Sequence, residues 1–434
     1  MGYKEDYKDI KEHVKYLKRR YGFNGPLHFT DFKNLINILT EGYLYSRKDC
    51  QRRNVIFTDG ANHSVLNNAE DFIQSCVRFY YRGKTPTLYD NEGIKLREYC
   101  DEIHIPIPVY LCFDEELLYL DSTEFTDGNA TNSSRGNTAE FFKNMDWDAI
   151  FHDTWFEFSE RDYIINKRQA ELLSREPVSL DYLKKIIFRS ETDKKRAINI
   201  FGYDDRYMVD INLFSNKNFR EARMDWQKNN FIKNYNMNFE YDKNGQKTAL
   251  LLEIEYQKPW ANYDTEVKIK DEYNNIIKNF KREIVYKNRF GIISNKSRSF
   301  TDIIIFKLKG DIKKWHKVEV EVNGVLSIEE FLIKYDIINY KINLFRKKFI
   351  INLTRKKVIL YLEFSNYNFL NYKHRYEIFD KKNNVVYENI IKHHKNNKLM
   401  RKIILNDYNE NWYKINYYMN DVLCISDIIR DKEF

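Results

Sequence analysis

The chain has 434 residues, 43% hydrophobic and 16% aromatic, with a net charge of +8. This permits large cores in two or three domains of roughly 100–200 residues each. Five cysteines at positions 50, 76, 100, 112 and 424 form no CxxC pair, which argues against a disulfide framework or a zinc site.

The first twenty residues, MGYKEDYKDIKEHVKYLKRR, are charged throughout and lack a signal core. No run approaches the ~18 apolar residues that a membrane helix needs, so a cytoplasmic protein without membrane contact is expected. Charge is uneven: residues 1–200 carry 29 basic against 33 acidic residues, the remainder 43 against 31. A basic C-terminal part can attract nucleic acid, although abundant Lys and Asn also fit an AT-rich coding bias. The adjacent pair His393-His394 sits in a Lys/Asn-rich turn and reads as solvated rather than metal-binding.

Residues 3–21 predict a charged helix, ended by the breaker cluster Tyr21-Gly22-Phe23-Asn24-Gly25-Pro26. From Leu27 a short strand runs into a helix with Leu35, Ile38 and Leu39 on one face. Thr30 or Asp31 would cap it, and Gly42 stands where a C-terminal glycine belongs. Strand-like runs follow at 77–81, 107–113, 162–165 and 169–173, with helical patterns near 66–76, 138–144 and 179–186. The segment 127–134 reads as a flexible loop. Mixed short elements over about 175 residues predict an α+β domain.

Beyond residue 205 the periodicity turns to two, in LLLEIEY, EVKIK, IIIFKLK and HKVEVEV, with turns at DKNGQ, DEYNN and VNG. This region contains a repeat. The stretch 314–326 around Trp315 parallels 411–423 around Trp412 at an offset of 97, and 252–275 parallels 362–384 at 109–110. The first copy would hold extra residues near 288–299. Two copies of about 100 residues predict two immunoglobulin-like β-sandwiches. The expected organisation is a helix over 1–24, an α+β domain over 25–200, and repeats over 205–335 and 340–434.

Three stretches of the α+β domain bear chemistry-capable residues together: Leu27-His28-Phe29-Thr30; the aromatic strand Arg78-Phe79-Tyr80-Tyr81 running through Arg82, Lys84 and Pro86 to Tyr89; and Gln169-Ala170-Glu171. In this order and spacing they resemble the DarT-type ADP-ribosyltransferases, which use NAD to modify a base in DNA. Those enzymes open with H-x-T after a strand, carry an aromatic strand leading into a Pro loop ending in Tyr, and place their catalytic Glu in Q-A-E. The resemblance covers residues 25–195 and implies a split mixed sheet with helices.

It also implies roles. Glu171 would stabilise the oxocarbenium-like ribose carbon as nicotinamide leaves, and take the acceptor's proton. Leu27, His28 and Thr30 would hold the nicotinamide ribose and amide, with Gln169 beside them. Tyr80 would stack on the nicotinamide ring. Arg82 and Lys84 would face NAD phosphates or the DNA backbone, or else form a solvated basic loop. The family's acceptor-activating Arg has no counterpart near Gly60, which leaves Arg47, Arg52, Arg53 and Arg78 as candidates, with His63 as a substitute base.

The segment Trp155-Phe156-Glu157-Phe158-Ser159-Glu160-Arg161 occupies the acceptor-recognition loop of such enzymes. Trp155, Phe158 and Arg161, with Lys84 and Tyr89, would meet single-stranded DNA; otherwise the segment is a hydrophobic turn packed on the sheet. A base in a duplex is inaccessible, so an unpaired or flipped acceptor follows. The expected protein is a toxin of a toxin–antitoxin or phage-defence system, opposed by an antitoxin that removes ADP-ribose. Its β repeats would bind a protein trigger or partner. The alternatives are transfer to RNA or protein, and a degenerate transferase domain acting as a sensor.

Overall fold

The computed structural model describes residues 2–58, 71–94, 105–202, 204–214, 231–243, 246–256, 263–271, 273–284, 303–332, 344–352, 357–364, 373–382, 384–392, 400–406, 411–419 and 422–428. The expectations placed on Gly60, His63, His393-His394 and the insertion near 288–299 lie outside the described residues.

The first helix, α1 (Tyr7–Tyr21), buries Ile10, Val14 and Leu17, a spacing that puts all three on one face. Strand β1 (Leu27–Asp31) follows, then a 3-10 turn at Phe32–Asn34 whose Lys33 N–H donates to the Asp31 carboxylate. The α2 helix (Leu35–Glu41) ends on Gly42 at φ 74°, a left-handed conformation that suits glycine. Next come β2 (Tyr43–Leu44), α3 (Arg47–Arg52), α4 (Asp71–Gln74), β3 (Val77–Tyr80) and α5 (Pro86–Asn91). The chain continues through β4 (Pro108–Phe113), β5 (Thr123–Thr126), β6 (Arg135–Gly136), α6 (Ala139–Asn144), α7 (Trp147–Ile150) and α8 (Arg161–Lys167). It completes the domain with β7 (Glu171–Ser174), β8 (Val178–Ser179), β9 (Leu183–Phe188), α9 (Glu191–Phe201) and β10 (Tyr207–Val209).

Eight of these strands form one mixed sheet in the order β10-β9-β4-β1-β3-β7-β5-β6. The central strand β4 is buried at every position, so both faces of the sheet carry a core. Helices α1, α6 and α7 pack Val14, Phe142 and Trp147 against Phe79, Leu111, Phe125 and Leu172 on one face. Tyr110, Ile187 and Phe214 fill the other.

Two expected elements differ. Residues 162–165, expected as a strand, lie in α8. A capping box of Glu157 and Glu160 starts the preceding turn, and only Ile164 of this helix is buried. The β-branched pair Ile164-Ile165 imitated a strand. Residues 179–186, expected as a helix, are β8, a 3-10 turn capped by the Ser179 hydroxyl, and β9. Pairing of Ile186, Ile187 and Phe188 with both β4 and β10 overrides the helix-like spacing of Leu180 and Leu183. Of the helical pattern near 66–76, α4 is the part within the described residues.

The rest is all β, as the period-two pattern predicts. Strands β11 (Ile232–Tyr241), β12 (Lys247–Tyr256) and β15 (Ile303–Leu308) form one sheet. Strands β14 (Ile276–Ile284), β13 (Tyr263–Lys270), β16 (Lys317–Val322) and β17 (Val325–Phe331) form a second. Leu250, Leu252 and Ile254 from one sheet and Val267, Ile269, Val318 and Val320 from the other share a core, so the pair is a β-sandwich. Asn323 at φ 50° and Gly324 at φ 80° make the tight turn between β16 and β17.

The order recurs in β18 (Leu344–Asn352), β19 (Lys357–Phe364) and β22 (Met400–Asn406), beside β21 (Val385–Lys392), β20 (Lys373–Phe379), β23 (Lys414–Met419) and β24 (Val422–Ile428). Even the irregularities repeat. Register shifts at Ile232/Asn234, Ile269/Lys270 and Val320/Glu321 reappear at Leu344/Arg346, Ile378/Phe379 and Tyr417/Tyr418. Asp271 and Asp380 each cap their turns by accepting from backbone donors two and four residues on.

The first sandwich is tied to the mixed sheet through α9. Arg196 Nη1 donates to Leu326 O at 2.6 Å, and Asn199 donates to Glu329 O at 2.7 Å. Lys195 Nζ donates to Asn234 Oδ1 and Tyr235 O. Beneath, Arg196 lies over the Phe32 ring, 4.5 Å from its centre.

Candidate active site

The site starts from a defect in the sheet. Strand β1 pairs with β4 along five residues, but with β3 only at Leu27↔Tyr80. Beyond that contact the two strands splay. A cleft of about 240 Å³ opens between them, lined by His28, Thr30, Asn34, Arg78, Tyr80 and Thr87 among others.

On one wall, His28 Nδ1 lies 2.9 Å from Arg78 O. A carbonyl only accepts, so Nδ1 carries the proton and Nε2 is left as an acceptor. Burial pushes the His28 imidazole down to about 4, so it is neutral at physiological pH. Thr30 is held by Asn34, whose amide donates to its hydroxyl at 2.9 Å and also bonds both Thr58 O and Thr58 N. Tyr80 stacks on Phe29 at 5.4 Å and 13°.

Behind the other wall, formed by Arg78 and Tyr80 of β3, is Glu171, wholly buried at the start of β7 and opposite Tyr80 in register. Its two carboxylate oxygens accept a fork from Arg78 Nε and Nη2, each at 2.5 Å. Burial alone would lower the Arg78 guanidinium, but the Glu171 carboxylate more than offsets this and holds it above its ordinary value. The Glu171 backbone is clamped as well: its N–H donates to Thr126 Oγ1 at 2.9 Å, and Tyr81 Oη donates to its carbonyl at 3.2 Å. Arg78 thus touches both groups, His28 through its carbonyl and Glu171 through its side chain.

The sequence-derived candidates divide by position. His28, Thr30, Tyr80 and Arg78 line the cleft, and Arg78 brings Glu171 to it. Gln169 adjoins it but is fully engaged: its Oε1 accepts from Asn129 at 2.9 Å and Thr87 at 3.2 Å, and its Nε2 donates to Ile165 O. It buttresses the wall rather than offering a free amide. Arg53 lies off the cleft, over the ring of Tyr45 at 4.5 Å.

Leu27, Arg82 and Lys84 line a different cavity of about 330 Å³. The Arg82 guanidinium is spent on Ile150 O, His152 O and Asp153, which removes the expectation that it faces NAD phosphates in the cleft. Lys84 adopts φ 53° and donates its N–H to Leu213 O. Tyr89 sits on α5.

Trp155 and Phe158 are 82% and 89% exposed, which removes the packed-turn alternative for both rings. Arg161 starts α8 and pairs with Asp162. Sequence reasoning missed Asn34, Thr126 and Asn129, and placed Tyr81 on the aromatic strand without a role. Thr126 and Asn129 flank or lie in the stretch read as a flexible loop, and only the Ser/Thr/Asn density there could have signalled them. Among the described residues no group of three or more His, Cys, Asp or Glu side chains is arranged to hold a metal.

A sheet split between the His–Thr strand β1 and the Arg–Tyr strand β3, with a strand that begins on a buried carboxylate paired behind β3, fits the class of an ADP-ribosyltransferase domain. More narrowly, residues 27–217 match the family model of DarT, described as ssDNA thymidine ADP-ribosyltransferase. Similar solved structures include Thermus sp. 2.9 DarT in complex with ADP-ribosylated ssDNA, at 17% identity over 44% of this chain and 95% of that one, with a TM-score of 0.36. The same protein in complex with NAD+ matches at 17% over 44% and 96%, TM-score 0.35. Thermosipho africanus DarTG in complex with ADP-ribose matches at 16% over 44% and 51%, TM-score 0.36. No curated protein matches the chain.

Proposed function

We propose that this chain transfers ADP-ribose from NAD to thymidine in single-stranded DNA, within the cleft between β1 and β3. The observation that carries this reading is the Glu171–Arg78 fork beside the His28–Thr30 wall. His28 Nε2 accepts from a ribose hydroxyl, and Thr30 holds the nicotinamide ribose and amide from the same strand. As the N-glycosidic bond breaks, its electron pair leaves with nicotinamide, and Glu171 stands by the positive ribose carbon. The base nitrogen then bonds that carbon and its proton passes to Glu171. Arg78 takes the place of the family Arg that this sequence lacks near Gly60, donating to the acceptor base while it orients Glu171.

In the same reading, Trp155 and Phe158 stack on unpaired bases flanking the target, and Arg161 meets phosphate. The protein acts as a toxin, countered by a partner that removes ADP-ribose. Its two sandwiches are immunoglobulin-like modules that bind a protein trigger.

The test is labelling of a thymidine-containing single-stranded oligonucleotide with labelled NAD. Glu171→Gln is expected to reduce labelling about a hundred- to a thousandfold, on the scale of losing a principal charge-stabilising group, with the circular dichroism spectrum unchanged. Label retained by Glu171→Gln removes that residue from the chemistry. Label that resists DNase in a lysate moves the acceptor to RNA or protein.

A further inference from the structure

The loop bearing Trp155 and Phe158 has a freely exposed tip and an unusually fixed base. The carbonyl of His152 accepts from two guanidiniums at once, Arg82 Nη1 at 2.8 Å and Arg168 Nε at 2.7 Å. Arg82, only 8% exposed, also donates to Ile150 O at 3.0 Å and pairs with Asp153. Arg168 faces His152 Nδ1 at 3.4 Å and lies over the Phe156 ring, 5.2 Å from its centre. From behind, Tyr21 of α1 stacks on Phe151 at 4.7 Å and 10°.

Two like charges meeting on one carbonyl repel each other. Burial and Arg82 together hold the Arg168 guanidinium below its ordinary value, and Asp153 offsets only part of this. Neither arginine lines the cleft of His28 and Thr30. What they hold in common is the start of the loop.

We propose that Arg82 and Arg168 are positioning residues for the acceptor strand. By fixing the His152 peptide they pre-set the loop so that the Trp155 and Phe158 rings stand ready to stack on unpaired bases. This rests on the reading of that loop as the DNA-recognition element. A pre-set loop spares the ordering cost that binding would otherwise carry. The loss of a clamp therefore falls on DNA affinity and leaves NAD affinity alone.

The test uses the full chain with Arg168→Ala. Its KM for a thymidine-containing single-stranded oligonucleotide is expected to rise about tenfold. Its calorimetric Kd for NAD and its Tm should stay close to those of the unchanged protein. Arg168→Lys is expected to recover part of the loss, since an ammonium still donates one bond to His152 O. Arg82 is too buried to serve as the first variant.

A double-mutant cycle provides the second arm. In a background of Trp155→Ala with Phe158→Ala, Arg168→Ala should add no further rise in KM. An unchanged KM in folded Arg168→Ala, an equal loss of NAD affinity, or full additivity in the cycle overturns the proposal. If Trp155→Ala with Phe158→Ala leaves the KM for DNA unaltered, the loop reading falls and this inference with it, while transfer at Glu171 stands. No labelling of DNA by the unchanged protein overturns the underlying reading itself.

Discussion

Arg78 both lines the cleft and pairs with Glu171. Its guanidinium is the partner of a carboxylate with no exposure of its own. Removing one member of a buried ion pair leaves the other charge unpaired, at a cost of about 3–5 kcal/mol. Arg78→Ala should therefore lower the urea unfolding free energy by about that amount. Arg78→Met combined with Glu171→Gln should regain most of it, because no charge is then buried; an Arg78→Ala protein as stable as the original would show that the pair is not closed in solution. His28 gives a prediction in pH. Its folded value of about 4 lies below the ordinary ~6.5. The unfolded chain takes up that proton first, so the contribution of His28 is complete above pH ~6.5 and is lost as pH falls toward 4. Unfolding free energy should fall across that window, and His28→Asn should flatten the slope by up to about 1.4 kcal/mol per pH unit; an unaltered slope would place the imidazole in water.

At the scale of elements, the sequence announced what local chemistry decides and hid what pairing decides. The end of α1 at Gly22, the glycine after α2, β3, β4 and the period-two ladders of both β repeats were legible because breakers, caps and alternation are local signals. The helix at 161–167 and the strand at 183–188 were not, since neighbours in space outvoted spacing along the chain. The site divides in the same way. His28, Thr30, Tyr80 and Glu171 could be read because motif order carries them. The fork from Arg78 to Glu171 joins residues 93 apart, and its pairing depends on strand register: Arg78 faces Leu173 and Tyr80 faces Glu171. Arg82 looked like an anion binder because a lone arginine in a loop carries no mark of the three backbone and side-chain acceptors waiting for it 68–71 residues away.

For the whole molecule, α9 is the joint between chemistry and the β modules. Arg196 reaches the Phe32 ring, next to Asp31 and Asn34 of the cleft, and also the edge strand β17. The sheet takes in β10 before the chain enters the first sandwich, so α9 is covered from both sides. Arg196→Ala with Asn199→Ala should separate the unfolding of the first sandwich from that of the transferase domain, giving two calorimetric transitions where the unchanged pair gives one. A single shared transition in the double variant would mean that other contacts carry the joint. On the first sheet, lysines pair with carboxylates at Lys233–Glu255 and Lys307–Glu240. The excess of lysine over the C-terminal part is thus partly neutralised in place.

The shared register shifts of the two β repeats bear on biosynthesis. A one-residue shift flips every side chain beyond it to the opposite face. Two tandem modules with the same shifts are templates for each other, and a nascent strand of one copy meets a matching ladder in its neighbour. Tandem modules of one fold are prone to such cross-docking. Here the buried position Val318 stands where the second copy buries Ile415. A strand exchanged between copies would force the larger isoleucine into space shaped for valine, and that mismatch in volume favours each strand in its own module.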